Sequence, residues 1–481
     1  MDRSSRCSLP QGCQTTRRAF LRTLPAIPLG LSALLSGRSP SHAAEPPADD
    51  WRTLPAVIRA AFVRRKGDFW MSCPGRSYPV DAEMKRYAGL LTQAARDLGV
   101  QLVMNASPIY DQKDQEAFIG RLKANPPDGV VLFVMDRHGV AWPTANALAD
   151  TGIPSVIFAP IGTAFTQNVL EPSKKPGAFV VSSLEFDGVI QGMRMIRAAA
   201  QMRNARILVV RGKERKDAEM ADIGCRVRVV PSEDYAKEFD GVAETPEVRA
   251  MAADFLKRAA KCVEPSMDDL CAQARHYQAA RRLMAREDAD AITMDCLGLA
   301  SSKRAPAPCL AWMGLNDSGD VVAGCEADMN AVTTMLLVRY LFDKPGYIQD
   351  PLPETVHRNL CGFHCTSATK LDGFDKPPAP YIIRTHHSDT AAAPQVLWRV
   401  GQRITIAQFS GTKKLIISSG EVVSNVDTPP AGGCRTDVEV KLDSDIDPRD
   451  FPGFHQVFLY GDHKHDLLAY CQMHKLEPLV V

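Results

Sequence analysis

The chain has 481 residues, a formal net charge of +1, 23% charged and 45% hydrophobic residues. That length gives two or three domains with cores of their own, and the composition is that of a folded globular protein. With the charges balanced and no basic stripe or acidic tail, nothing calls for nucleic acid, so a partner has to be argued from sites.

The first 44 residues read as an export leader. "TTRRAFLR" (15–22) sets Arg17-Arg18 before Phe20-Leu21, and the apolar run "LPAIPLGLSALL" (24–35) and the small-residue "SHAA" (41–44) follow. The run is too short for a bilayer core and is broken by Pro25 and Pro28, which suits a signal peptide and predicts no stable membrane insertion. A twin-arginine pair addresses a folded protein to the twin-arginine export machinery, so the expected location is periplasmic, with a mature chain from about Ala44 or Glu45. Of thirteen cysteines, Cys7 and Cys13 leave with that leader. The other eleven form no CxxC pair, which argues against a zinc knuckle or compact disulfide framework and leaves room for one or two disulfides.

From 66 to 182 the pattern alternates. "GDFWMSC", "VQLVMNA", "DGVVLFVMD", "IPSVIFAP" and "GAFVVSS" are strand-like, with "AEMKRYAGLLTQAARDLG" as an amphipathic helix closed by Gly99 and "PTANALADTG" as a shorter one. Such alternation implies a parallel sheet. It restarts at 185: "EFDGVIQGMRMIRAAAQM" is helical, "ARILVVRG" and "CRVRVVP" are strands, two long helices cover 245–263 and 268–288, and "DAITMDC" and "PCLAWMGL" supply further strands. After about 365 the texture is β-branched. "VLWRVGQRITIAQFSGTKKLIISSGEVVSNV" (396–426) has turn signals at Ser410-Gly411 and Ser419-Gly420, and the last thirty residues read as strand, helix and closing strand. The expected fold is thus two consecutive Rossmann-like α/β domains, 45–180 and 181–355, followed by a C-terminal β-rich, barrel-like domain, 356–481.

Within this frame "GCEADMNAVTTMLLVRYLFDKPGYIQD" (324–350) stands out. Acids at a helix start have a plain role as caps, which covers Glu326 and Asp328, and Asp350 before Pro351 suits a turn. Trp312, Asn316 and Asp317 fall at an expected strand end, where α/β domains place ligands, although "LNDSG" is equally a turn. His386-His387 reads as surface, because neighbours on a strand face opposite ways.

Read with its neighbours, "APCLAWMGLNDSGDVVAGCEADMNAVTTMLLVRYLFDKPGYIQDP" followed by "NLCGFHCTSATKLDG" resembles the L-fucose/L-arabinose isomerase-like family. The shared features are "LND", "CEAD", the "TM-LL" helix, "KPG", an acid before Pro, and "HC" leading to "DG". The resemblance implies a divalent cation, Mn2+ or else Mg2+ or Co2+, held by one Glu, one Asp and one His. Those fall on Glu326, on Asp350 24 residues later (350 − 326), and on His455 in "FHQVFLYGD". Glu326 and Asp350 would double as catalytic groups, His364 in "GFHCTS" would meet the sugar with Trp312 and Asn316, and the protein would be a homo-oligomer. The implied reaction, interconversion of an aldose and a ketose through an ene-diol, needs a base, an acid and a cation, and no organic cofactor. Two α/β domains are also what an exported, non-catalytic sugar-binding protein would present, but the acid pair and the His455 tail are features it would not need.

Overall fold

In the computed structural model, residues 55–67, 69–71, 76–386, 391–426 and 433–481 are described. The leader, Cys73 and His387 lie outside them.

The first sheet is five-stranded and parallel, in the order Gln101–Met104, Val57–Val63, Gly129–Val134, Ser155–Pro160, Ala178–Ser183. Gly129–Val134 and Ser155–Pro160 are buried along their whole length, which is why they read as unbroken apolar runs. Val57–Val63 pairs with two neighbours, yet it escaped the sequence reading because Arg59, Ala60 and Ala61 interrupt its strand character. The helix Val80–Leu98 buries Val80, Tyr87, Leu91, Ala94, Ala95 and Leu98 and ends at Gly99 in the left-handed conformation, as its pattern predicted.

A second sheet runs Val322–Cys325, Ala291–Met294, Arg206–Val210, Cys225–Val230, Lys216–Met220, with the last strand antiparallel and the rest parallel. The helix Asp187–Asn204 packs on strands of the first sheet, on Cys225–Val230 of the second and on the helix Met329–Phe342. "PCLAWMGL" corrects an expectation: it is the helix Cys309–Ser318, not a strand. Its residues are apolar all round because the helix is buried, and over so short a run periodicity cannot separate a buried helix from a buried strand.

Six antiparallel strands close a barrel in the C-terminal region. Going round, they are Arg403–Ser410, Gln456–Tyr460, Tyr347–Glu354, Asn359–His364, Thr436–Leu442 and Lys414–Asn425, which pairs back to Arg403–Ser410. Glu477–Val480 adds in parallel to Lys414–Asn425. The molecule is therefore a mixed α/β protein with a parallel sheet and a closed barrel. Three local readings are corrected. Asp350 lies within a barrel strand rather than in a turn, and Gly420 is mid-strand rather than a turn. His386 is buried, not at the surface, and its amide donates to Ala391 O at 2.6 Å.

Candidate metal centre

Glu326 follows Val322–Cys325 at the carboxyl end of the second sheet, where the strand must turn sharply into the helix Met329–Phe342. Glu326 and Ala327 make that turn with φ of 56° and 54°, held by the Ala327 amide on Met294 O (3.0 Å) and the Asp328 amide on Cys325 O (3.1 Å). Asp328 caps the helix, its Oδ1 accepting from the Ala331 amide at 2.8 Å. This is the role its place in the sequence suggested.

The barrel supplies the other groups. Tyr347–Gln349 pair with Gln456–Phe458, whereas Asp350–Glu354 pair with Asn359–Phe363, so the strand changes partner at Asp350. Continuing the Gln349–Gln456 rung by one residue sets His455 beside Asp350. The prolines Pro351 and Pro353 fall after the change, where Gln456–Tyr460 no longer pairs with the strand, so their missing N–H groups are tolerated. His455 has φ 55°, a third non-glycine left-handed residue in the same few ångströms. Each such residue costs roughly 1–2 kcal/mol, so the surroundings offset several kcal/mol to hold this shape, as functional sites commonly do.

The side chains converge. His455 Nδ1 is 3.0 Å from Asp328 Oδ2, and His455 Nε2 is 3.0 Å from Asp350 Oδ1 and 3.4 Å from Glu326 Oε2. His364 Nε2 is 3.8 Å from Glu326 Oε1, with its ring 5.8 Å from that of His455. One donor atom each from Glu326, His364 and His455 lies within 4.8 Å of the others. The imidazoles are buried (side chains 4% exposed for His455, 6% for His364), whereas Glu326 and Asp350 are 29% and 27% exposed, so the cluster meets solvent through its acids.

The electrostatics follow. Burial pulls the His455 pKa down, but Asp328, Asp350 and Glu326 outweigh it and push the pKa up to about 11. The His455 contact, ahead of opposing burial, lowers the Glu326 carboxyl below its usual range. Burial raises the Asp328 carboxyl, yet the His455 and backbone hydrogen bonds bring it down on balance. Both are carboxylates at neutral pH.

These residues suit a divalent cation. With Nδ1–H given to Asp328, the Nε2 edge faces two carboxylates, and both His455 Nε2 and Asp350 Oδ1 are buried without an aligned hydrogen-bond partner. A carboxylate behind an imidazole whose other nitrogen faces anions is the arrangement that orients a metal-binding histidine. Two hard oxygens and one or two imidazole nitrogens suit Mn2+, Mg2+ or Co2+ better than a thiolate-seeking ion.

The residues expected to meet a sugar divide. His364 lies in the cluster. Trp312 and Asn316 spend their polar groups on the neighbouring strand: Trp312 Nε1 donates to Gly324 O (2.7 Å), and Asn316 exchanges hydrogen bonds with Ala323 (2.8 and 2.9 Å). Both are buried and brace the strand that presents Glu326. Asp317 accepts from the Thr369 and Lys370 amides at 2.7 and 2.9 Å, a loop clamp. A cavity of about 320 Å³ lined by Arg197, Asp290, Asp320 and Arg339 lies at the amino ends of the strands and touches no cluster residue. A second group, Glu354, His357 and Glu439, sets an exposed imidazole beside two half-buried carboxylates. The sequence reading missed the second use of Asp328, since only its cap was visible locally.

No protein-family model and no curated protein matches the chain. Among solved structures, XylFII covers 60% of this chain and 94% of its own at 10% identity and a TM-score of 0.17. XylFII in complex with LytSN covers 56% and 96% at the same identity and score. Likeness this weak carries no argument about fold or function.

Proposed function

We propose that the protein is a metal-dependent aldose–ketose isomerase, with Glu326, Asp350 and His455 as the ligands of Mn2+ or a related divalent cation. The observation that carries this reading is His455 standing between Asp328 and the pair Glu326 and Asp350, with its Nε2 turned to the pair. In this reading the two sheets are consecutive Rossmann-like units, the leader delivers the folded protein to the periplasm, and the resemblance supplies the homo-oligomer and the sugar substrate.

When bound, the cation would polarise the sugar carbonyl and stabilise negative charge on O1 and O2. The chain's own groups do the rest. Glu326, ionised and partly exposed, is placed to take a proton from carbon or return one. Asp350, on the barrel side, can serve the hydroxyl proton, so that C1 and C2 exchange hydrogen through an ene-diol. Asp328 holds His455 in one orientation, and His364 lines the same cluster beside Glu326.

The test is to load purified protein with Mn2+ and present a panel of aldoses, following ketose formation and deuterium uptake at C2. Wild type should retain stoichiometric metal and exchange deuterium. Glu326→Gln should lose at least about 100-fold of the activity, the scale set by removing a positioned acid–base group. Metal-free wild type that binds sugar as well as Glu326→Gln does would instead establish a non-catalytic sugar-binding protein.

A further inference from the structure

Ten cysteines are described, and all are thiols in the structure. Two pairs are in thiol–thiol hydrogen bonds, Cys296 with Cys325 and Cys365 with Cys434. The first pair is buried on both sides behind Glu326, out of reach of a reagent. The second differs. Cys365 is buried and Cys434 partly buried, and the two pack in one small cluster with Ala307, Cys309, Ala391 and Ala393.

Their place in the barrel is specific. Asn359–His364 pairs with Thr436–Leu442, and the last rung joins His364 to Thr436. Cys365 is the next residue on one strand and Cys434 the second residue back on the other, so both sit just beyond the rung where the ladder opens. Gly433, with φ 90°, precedes Cys434 and leaves the backbone there free to adjust. A covalent link at this point would fasten the end of the strand that carries His364.

We propose that Cys365 and Cys434 form a disulfide when the protein meets an oxidising disulfide. The step is thiol–disulfide exchange. Cys434, the less buried of the two, attacks an external disulfide and releases one reduced thiol. Cys365 then displaces the second thiol from the mixed disulfide and closes the Cys365–Cys434 bond. Two protein thiols are oxidised, one external disulfide is reduced to two thiols, and both protons pass to the departing sulfurs. The bond closes a loop of 69 residues (434 − 365), long enough for the link to restrict the unfolded chain substantially. The proposal stands apart from the metal reading.

Full-length protein is incubated with oxidised glutathione, alkylated without reduction and digested for mass spectrometry. The expected result is one cross-linked peptide pair containing Cys365 and Cys434, with Cys296 and Cys325 still reduced. Thermal unfolding should shift upward by several degrees on oxidation, and the shift should vanish in Cys434→Ser and in Cys365→Ser. Cysteines 365 and 434 both alkylated after oxidation, or either joined to a different cysteine, would overturn the assignment. So would an equal shift in Cys434→Ser.

Discussion

Asp328 divides its two oxygens between local and long-range work. Oδ1 caps the helix Met329–Phe342 and Oδ2 holds an imidazole 127 residues further along the chain. The two can be separated by substitution. Asparagine caps as well as aspartate but offers His455 a neutral amide, so Asp328→Asn should keep the helix cap while Mn2+ affinity, read by calorimetry, falls about 10- to 100-fold. Asp328→Ala should lose affinity and about 1 kcal/mol of stability as well. Equal Mn2+ affinity in Asp328→Asn and wild type would remove the orienting role. The cap was legible from an acid before an apolar helix. The orienting oxygen was not, because nothing local to residue 328 records what His455 will do.

At the scale of elements, each error has its own physical cause. The helix Cys309–Ser318 looked like a strand because total burial erases the polar face that would have shown its period. Gly420 looked like a turn, yet it lies within Lys414–Asn425, where a Cβ would come 2.5 Å from Lys441 O on the next strand. Close backbone approach, rather than chain reversal, explains that glycine. Gly420→Ala should therefore destabilise the barrel by about 1–3 kcal/mol, the usual cost of overpacking, lowering the urea midpoint at constant m. An unchanged midpoint would show that the strands part freely there. Gly411 and Gly99, by contrast, have the positive φ of true chain-ending positions, and the sequence identified both.

Across the whole molecule the site is a junction. Glu326 and Asp328 come from the turn after the second sheet, and Asp350 and His455 come from the barrel, so the charge cluster ties one to the other. Without a cation, that tie is between an imidazolium and three carboxylates. Because the His455 pKa is raised from 6.5 to about 11, its contribution is full below pH 6.5 and is lost as pH rises through about 11. Metal-free wild type should therefore lose urea stability between pH 7 and 10 more steeply than His455→Gln, which has no such proton to lose. Parallel slopes would mean that His455 is not held as the cation. Since Nε2 must shed its proton to bind metal, Mn2+ affinity should rise with pH over the same interval.

What the sequence determined by itself was the kind of material: apolar runs for buried parallel strands, amphipathic helices with their caps, and a β-branched C-terminal third. By resemblance it also pointed to Glu326, Asp350 and His455. It could do so because these signals are carried by residues adjacent in the chain or by motifs of fixed spacing. Only the tertiary structure decided that Asp350 and His455 stand on neighbouring strands of a closed barrel, and that the turn at Glu326 faces them. It also decided that Trp312 and Asn316 brace a strand instead of facing the cluster. Those outcomes depend on strand register and ring closure, which are set by packing between segments about a hundred residues apart, and no local pattern encodes them.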